Sequence, residues 1–238
     1  IKHKKGRADK ERAKIFSKLS REITVAAKLG DKDPDMNPRL RTAIQAAKQA
    51  NMPKDNISRA ISKSEMSGDK NYESLRYEGF GPSNTALIIE TLTDNKNRSA
   101  SSIRTVLQKN GGRLGEAGST AHMFSNCGII HIEKNNIKEE EIFEIAINVG
   151  AKDCLSLGNI FEIITEKADF YKIKTELEKK VDTFLYSAIE WRAINLLNLQ
   201  KEKFEKIIHI LSSLEELDDV QNIFTNINLR LNYEDNRN

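Results

Sequence analysis

Long apolar runs, cysteine and proline are all scarce in this chain of 238 residues. The longest apolar stretches, such as residues 86–89, fall far short of the ~20 residues that a membrane helix needs, so we expect no membrane partner. Two cysteines, Cys127 and Cys154, cannot form a disulfide framework or a zinc site by themselves, and the four histidines lack metal-ligand spacing. We therefore expect no metal and no cofactor. No signal-peptide pattern opens the sequence, so a reducing, cytoplasmic location is expected.

Motifs that would indicate catalysis are also missing. The glycine-rich segment 111–115 lacks the Lys-Ser/Thr ending of a phosphate-binding loop and follows a predicted helix rather than a strand. It is therefore interpreted as a helix C-cap followed by a turn. Neither a Ser/His/Asp nor a Cys/His/Asn grouping has a recognisable motif around it. The sequence predicts a protein that is not an enzyme.

Charge is abundant but unevenly distributed. The chain carries 38 Lys and Arg against 35 Asp and Glu, a formal net charge of +3. Residues 1–63 hold 17 basic and 7 acidic residues, whereas the rest holds 21 basic and 28 acidic ones. The first segment is thus +10 and the remainder −7. Such an asymmetry indicates that the basic segment binds a polyanion, without identifying which one.

The basic segment begins with a helical pattern. From Arg7 to Leu29 apolar residues recur at helical spacing, and a row of cations lies on the opposite side of the helix. Glu11 and Glu22 fall at the edge of this row, and a face of one sign favours nucleic-acid contact over an ordinary solvated face. Residues 2–7 look like a basic arm that stays disordered until it meets a phosphate backbone. The candidate phosphate-contacting residues are Lys2, Lys4, Lys5, Arg7, Lys10, Lys14, Lys18 and Arg21.

Two shorter helices follow, the first capped by Asn37 with Pro38 at its first position, and the second carrying Lys54, Arg59 and Lys63 outward. After a linker the pattern changes to alternating short strands and helices, and residues 128–189 read βαββαβ, a complete ferredoxin-like unit. Strands at 85–93, 120–124, 193–199 and 220–225, with helices at 99–109 and 202–214, would make a second such unit around the first.

The predicted fold class is therefore α+β, with an N-terminal three-helix domain followed by two ferredoxin-like α+β domains, one inserted in the other. The predicted boundaries are 1–72 for the basic helical domain, 73–127 plus 192–238 for one α+β domain, and 128–191 for the inserted one.

An acidic cluster at Glu215, Glu216, Asp218 and Asp219 lies near the end of the last predicted helix. Carboxylates there oppose the helix dipole and repel one another. Two interpretations stay open: a functional surface for a basic partner or for the basic module of a second copy, and a simple solvated turn.

Several motifs together resemble the YebC/PmpR family of bacterial regulators, which includes the mitochondrial translational activator of cytochrome c oxidase. The resemblance covers nearly the whole chain. It is carried by residues 1–9, by Phe16-Ser17-Lys18-Leu19 and Arg21-Glu22-Ile23, by Asn37-Pro38-Arg39-Leu40-Arg41, by residues 51–57, by Tyr77-Glu78-Gly79-Phe80-Gly81-Pro82, by 91–98, by Asn110-Gly111-Gly112 and by 214–226.

The resemblance implies a helical domain followed by two mixed domains, one inserted in the other, and a role in gene expression. Members are described as probable transcriptional regulators that bind DNA, and others act in translation on ribosomes. Members usually begin with Met and a Gly-His-Ser-Lys-Trp segment before Ile-Lys-His, so we expect the natural chain to start before Ile1. The segment 191–195 also departs from the family pattern, which often has a proline there.

Three functions remain open at this point. The first is a regulator that binds DNA through the basic helical domain. The second is a ribosome-associated translation factor that binds ribosomal RNA or tRNA, since basic stripes recognise phosphates in either ligand. The third is a protein-interaction adaptor without nucleic-acid binding. The sequence leaves the oligomeric state open.

Overall fold

The computed structural model describes the backbone of residues 2–66, 68 and 70–229, and the side chains from residue 6 onward within those ranges, except residue 136. Helices and strands alternate along most of this part of the chain. The α-helices are α1 (Lys2–Leu29), α2 (Pro38–Gln49), α3 (Lys54–Lys63), α4 (Lys96–Lys109), α5 (Glu139–Val149), α6 (Phe170–Glu178) and α7 (Lys201–Glu215). The strands are β1 (Glu73–Phe80), β2 (Ala86–Thr93), β3 (Arg113–Leu114), β4 (Phe124–Glu133), β5 (Asp153–Leu157), β6 (Ile160–Glu166), β7 (Tyr186–Ala193) and β8 (Val220–Thr225).

Helix α1 begins earlier than the sequence predicted. Residues 2–7 were expected to form a disordered arm, but the helix already starts at Lys2 and runs for 28 residues, about 42 Å. Lysine and arginine are good helix formers, and the single glycine, Gly6, costs only about 1 kcal/mol. Because no proline interrupts the segment, the helix nucleated further along the chain extends back through it.

The three N-terminal helices share one core, as predicted. Its buried residues are Ile23, Ala26, Ala27, Leu40, Ala43, Ala47, Met52, Ile57 and Ala60. Thr24 connects α1 to α3 by donating its hydroxyl to the Ala60 carbonyl oxygen at 2.8 Å. Asn37 caps α2, with Pro38 at the first helical position, as the sequence indicated. Helix α3 lacks such a cap, because Pro53 occupies its N-cap position.

Residues 124–193 contain the predicted βαββαβ unit. Its sheet has the strand order β5-β6-β4-β7, with β4 and β5 both antiparallel to β6, which is the ferredoxin-like arrangement. Helices α5 and α6 cover one face of this sheet. The core between them contains Ile130, Ile132, Phe161, Ile163, Ile142, Phe170, Ile173 and Leu177.

The second sheet, ordered β3-β1-β2-β8, is built around an antiparallel β1–β2 hairpin. Helices α4 and α7 pack on one face of it, through Leu87 and Ile89 of β2 and Ile103 and Leu107 of α4, among others. The α+β class is thereby confirmed.

Four strand assignments in this second domain differ from the prediction. Strand β3 lies where the sequence indicated only a turn after the C-cap of α4. Strand β1 was not predicted. The predicted strand at 120–124 is a 3-10 turn at Ala121–Met123 that leads into β4. The predicted strand at 193–199 is absent from the described residues: β7 ends at Ala193, and beyond it only an isolated bridge joins Leu197 to Ile227.

The chain divides into two compact units, Ile1–Ser67 with Asn126–Glu190, and Gly68–Ser125 with Trp191–Asn238. The first unit contains both the helical module and the ferredoxin-like insert. The division into three domains is a finer partition that stays a prediction. Among the described residues, no helix combines the length and apolarity required to cross a membrane.

Candidate nucleic-acid interface

The cations predicted to contact phosphates lie on one helix. Arg7, Lys10, Lys14, Lys18 and Arg21 follow each other at intervals of three or four residues, and α1 is continuous across all of them. Residues at this spacing occupy one face of an α-helix. The five cations therefore form a row about 21 Å long on α1, which we call the α1 stripe.

The two ends of the α1 stripe have different environments. Residues 6–13 are exposed, so Arg7 and Lys10 face solvent. Further along, α1 packs on its neighbours, and Lys14, Lys18 and Arg21 are half-buried and each already engaged in an intramolecular interaction. The side chains of the remaining predicted residues, Lys2, Lys4 and Lys5, lie outside the described residues.

The acidic neighbours of the α1 stripe also behave differently from each other. Glu22 is held by Arg39 of α2, which donates from Nε and Nη2 at 2.9 and 3.2 Å, so its charge is directed away from the stripe. Glu11, expected at the edge of the stripe, accepts from Arg7 Nε at 3.2 Å. This pair is highly exposed and screened by salt, so it neutralises Arg7 only weakly. Lys10 has no partner among the described side chains.

Asn37 fixes how α1 joins the rest of the module. Its Oδ1 accepts from the Leu40 N–H at 3.0 Å, and its Nδ2 donates to the carbonyl oxygens of Ala26 and Asp31 at 2.9 and 2.7 Å. A side chain at Gly30 would collide with it, because a Cβ there would lie 2.6 Å from Asn37 Nδ2. The end of α1, the loop and the start of α2 are thus joined through one buried amide.

Other exposed cations surround the stripe on the same module. Lys54, Arg59 and Lys63 of α3 face solvent, as the sequence predicted. Arg12, which the sequence analysis did not select, places its guanidinium 5.4 Å from the centre of the Phe16 ring. Arg12 follows Glu11 in the sequence and lies outside the row of cations on α1, so the charge pattern did not identify it.

The acidic cluster is smaller than predicted. Glu215, Glu216 and Asp218 are exposed, but only 8% of the Asp219 surface is accessible. The Asp219 carboxylate accepts from Arg98 and from the Ser99 hydroxyl, so it stabilises the interior of its domain instead of facing a partner. The candidate acidic partner surface is therefore limited to the other three carboxylates.

Features that could support catalysis or metal binding are explained by structure. Among the described residues, no group of three or more His, Cys, Asp and Glu is arranged to hold a metal ion. Burial, followed by the nearby carboxylates of Asp153 and Glu139, raises the pKa of the Cys154 thiol to about 11, which keeps it protonated and unreactive. At the end of α4, Gly111 adopts a φ of +76°, as expected for the predicted C-cap and turn.

A second basic helix was missed by the sequence analysis. Helix α4 carries Lys96, Arg98, Arg104 and Lys109 and no acidic residue, although it lies in the part of the chain with a net negative charge. Counting charge in two large segments concealed it. A helix-by-helix count would have detected this signal.

Two family models together match nearly the whole chain. The TACO1/YebC protein N-terminal domain matches residues 1–67. The TACO1/YebC second and third domain matches residues 72–227. The first match coincides with the helical module and its basic helix.

Individual proteins agree with this match. A probable transcriptional regulatory protein of Pelagibacter ubique is 55% identical over 98% of this chain and 96% of its own. One of Zymomonas mobilis is 46% identical over 96% of this chain and 92% of its own. The crystal structure of a conserved hypothetical protein from Aquifex aeolicus superimposes with a TM-score of 0.77 at 42% identity, covering 92% of this chain and 90% of that one. The chain therefore belongs to the TACO1/YebC family of regulatory proteins.

Proposed function

We propose that this protein is a transcriptional regulator that binds double-stranded DNA through the α1 stripe. The observation that carries the proposal is the row of five cations on one face of a single continuous helix, in a segment with a net charge of +10. The relatives' names support a regulatory role. DNA presents a phosphate every few ångströms along each strand, so a row about 21 Å long can contact several of them.

The exposed end of the α1 stripe makes the first contacts. Arg7 and Lys10 are accessible without rearrangement, and the weak pair between Arg7 and Glu11 exchanges readily for a phosphate. Lys14, Lys18 and Arg21 exchange their intramolecular interactions for phosphate contacts. Contacts of this kind position a protein on the duplex but carry no base information, so binding through α1 alone is only weakly selective for sequence.

Salt dependence tests the assignment of this face. We compare the wild type with Lys10→Gln/Lys14→Gln/Lys18→Gln, using fluorescence anisotropy on a labelled duplex of about two helical turns. Each lysine that contacts a phosphate contributes about one unit to the slope of log K against log salt concentration. The variant is expected to bind more weakly and to lose about three units of slope.

A matched control removes the same charge from another face of the module. Lys54→Gln/Arg59→Gln/Lys63→Gln changes exposed residues of α3 and is expected to keep most of the slope. Equal losses in both triple variants would mean that only the overall charge matters and would reject the α1 assignment. Ribosomal RNA or tRNA bound more tightly than the duplex at equal salt would favour a translation factor. Binding to neither ligand would favour the adaptor.

A further inference from the structure

Helix α4 presents an exposed polar face that is free of carboxylates. Asn97, Ser101, Arg104 and Gln108 lie within about 60° of each other on the helical wheel, and all four are exposed. They extend over about 16 Å of the helix. We call these four residues the α4 face.

The opposite side of α4 is fixed to its domain. Ile103 and Leu107 have no accessible surface, and 1% of Ser99 is exposed. Ser99 and Arg98 also bond to Asp219, which precedes β8. Because rotation about the helix axis would break these contacts, the α4 face is held in one orientation. A rigid element of this kind can present side chains with the precision that base recognition needs.

The chemistry of the α4 face matches the edges of base pairs. In the major groove, arginine donates two hydrogen bonds to guanine, and asparagine or glutamine forms two with adenine. Arg104, Asn97 and Gln108 supply these groups, and within the described residues their side chains make no polar contact with the protein. The major groove is about 12 Å wide and admits an α-helix.

The charge around the α4 face fits a polyanion along most of its length. Lys96 and Lys109 flank it, whereas Arg98 is engaged with the carboxylates of Asp94 and Asp219. The acidic residue just before the helix, Asp94, already accepts from Arg98 at 2.6 Å and lies 3.7 Å from Lys70. Beyond the C-terminal end of α4, the carboxylates of Glu202 and Glu205 line an open groove of about 440 Å³ together with Asn110, Lys206 and His209.

We propose that the α4 face reads base edges in the major groove of duplex DNA and gives the protein its sequence preference. This inference rests on the proposed DNA binding but concerns a different surface with a different role. The α1 stripe supplies affinity through phosphates, whereas the α4 face selects the sequence.

Selection from a pool of random-sequence duplexes separates the two roles. The wild-type chain is expected to enrich a subset of sequences, and Arg104→Ala/Gln108→Ala is expected to lose the preference at the corresponding positions, about tenfold or more per base pair. Its affinity for the unselected pool should fall only by the contribution of one cation. Alanine is the best helix former, so α4 itself should be preserved, which circular dichroism checks.

The control Gln200→Ala/Lys203→Ala removes one amide and one cation from exposed positions at the start of α7 and is expected to keep the wild-type preference. Unchanged preference in the Arg104→Ala/Gln108→Ala variant would overturn the inference. So would a wild type that binds duplexes with the expected salt slope but enriches none, and that result would leave the proposed function standing. A wild type that does not bind duplexes would overturn both.

Discussion

Arg98 of α4 donates from Nε and Nη2 to the Asp219 carboxylate, at 3.1 and 2.9 Å. The same carboxylate accepts from the Ser99 hydroxyl at 2.7 Å and from the Thr93 hydroxyl at 3.3 Å. It thus joins the end of β2, the first turn of α4 and the residue before β8. A carboxylate this buried is stabilising only while its donors stay in place, because an unpaired charge in the interior is costly.

Replacing Asp219 with asparagine tests this junction. The new amide N–H₂ would face either Arg98 or Ser99, both of which are donors, so one of these hydrogen bonds must be lost. We expect Asp219→Asn to lower the free energy of unfolding by about 2 kcal/mol in urea titrations. Ser99→Ala removes a single bond and leaves the pair with Arg98, so it should cost only about 1 kcal/mol. Equal losses of unfolding free energy in the two variants would contradict the interpretation that the Asp219 carboxylate holds this junction together.

Glu78 of β1 is a second buried carboxylate with a structural role. It is 2% exposed and accepts from the backbone N–H groups of Gly118, Thr120 and Ala121 at 2.7, 2.9 and 2.6 Å. Burial alone would raise the pKa of Glu78, but these backbone hydrogen bonds outweigh it and hold the pKa below its ordinary value. The loop before β4 is therefore anchored by the ionised form.

The lowered pKa of Glu78 predicts a pH dependence of stability. In the window between the lowered folded pKa and the ordinary value of about 4.3, the unfolded chain binds more protons than the folded one. The stabilisation is therefore complete above that ordinary value and is lost as the pH falls through the folded pKa. Glu78→Gln should be less stable at neutral pH by about 2 kcal/mol and should flatten the acid limb of a stability profile. Glu73→Gln, at an exposed position of the same strand, is the control and should leave the limb unchanged.

Glu78 also explains why part of the fold could not be predicted. Helix α5 and strands β5 and β8 match the prediction residue for residue, because their apolar patterns and caps are local signals. In β1 the residues from Leu75 to Glu78 do alternate between apolar and polar, but this pattern places Glu78 on the solvent side, whereas the structure buries it. Its hydrogen bonds to Thr120 and Ala121 likewise hold a turn where a run of small and apolar residues indicated a strand.

The candidate site was also predictable only in part: the local pattern on α1 was visible in the sequence, and the long-range contact of Asp219 was not. Helical periodicity placed Arg7, Lys10 and Lys14 on one face, and the structure has them on one continuous helix. The role of Asp219 was not predictable, because its partner Arg98 lies 121 residues earlier in the chain. Within the sequence it was simply one of four neighbouring carboxylates. Contacts between distant residues decide which member of such a run is buried.

The hydrogen bonds of the Asn37 amide predict that aspartate at this position lowers the free energy of unfolding more than serine does. Serine keeps the acceptor that caps α2 but loses both donor contacts, to the carbonyl oxygens of Ala26 and Asp31. Aspartate is an equally good cap in general, yet here its second oxygen would face those two carbonyls. We expect Asn37→Ser to cost about 1–2 kcal/mol and Asn37→Asp about 3 kcal/mol in urea unfolding at neutral pH. A smaller cost for Asn37→Asp would show that capping alone accounts for this residue.

Lys174 and Glu178 of α6 lie at the contact between α2 and α6, and replacing one is expected to cost more stability than replacing the other. Lys174 is 2% exposed, and its ammonium donates to Glu178 at 2.9 Å and to Gln45 at 2.7 Å. Burial lowers its pKa despite the opposing effect of Glu178, so the charged form depends on that carboxylate. Glu178 has a second cation, Arg41 of α2, which donates to it at 2.8 Å.

Removing either member of this pair therefore has unequal consequences. Glu178→Gln leaves two cations close together, one of them buried, and should lower the free energy of unfolding by about 2–3 kcal/mol. Lys174→Met leaves Glu178 paired with Arg41 and fills the same volume with an apolar chain, so it should change stability by less than about 1 kcal/mol. Hydrogen exchange should accelerate in α2 and α6 for the first variant only. Equal destabilisation by both variants would mean that Lys174 contributes as much to the contact as Glu178. That result would contradict the prediction, which follows from the Glu178 carboxylate being shared by two cations.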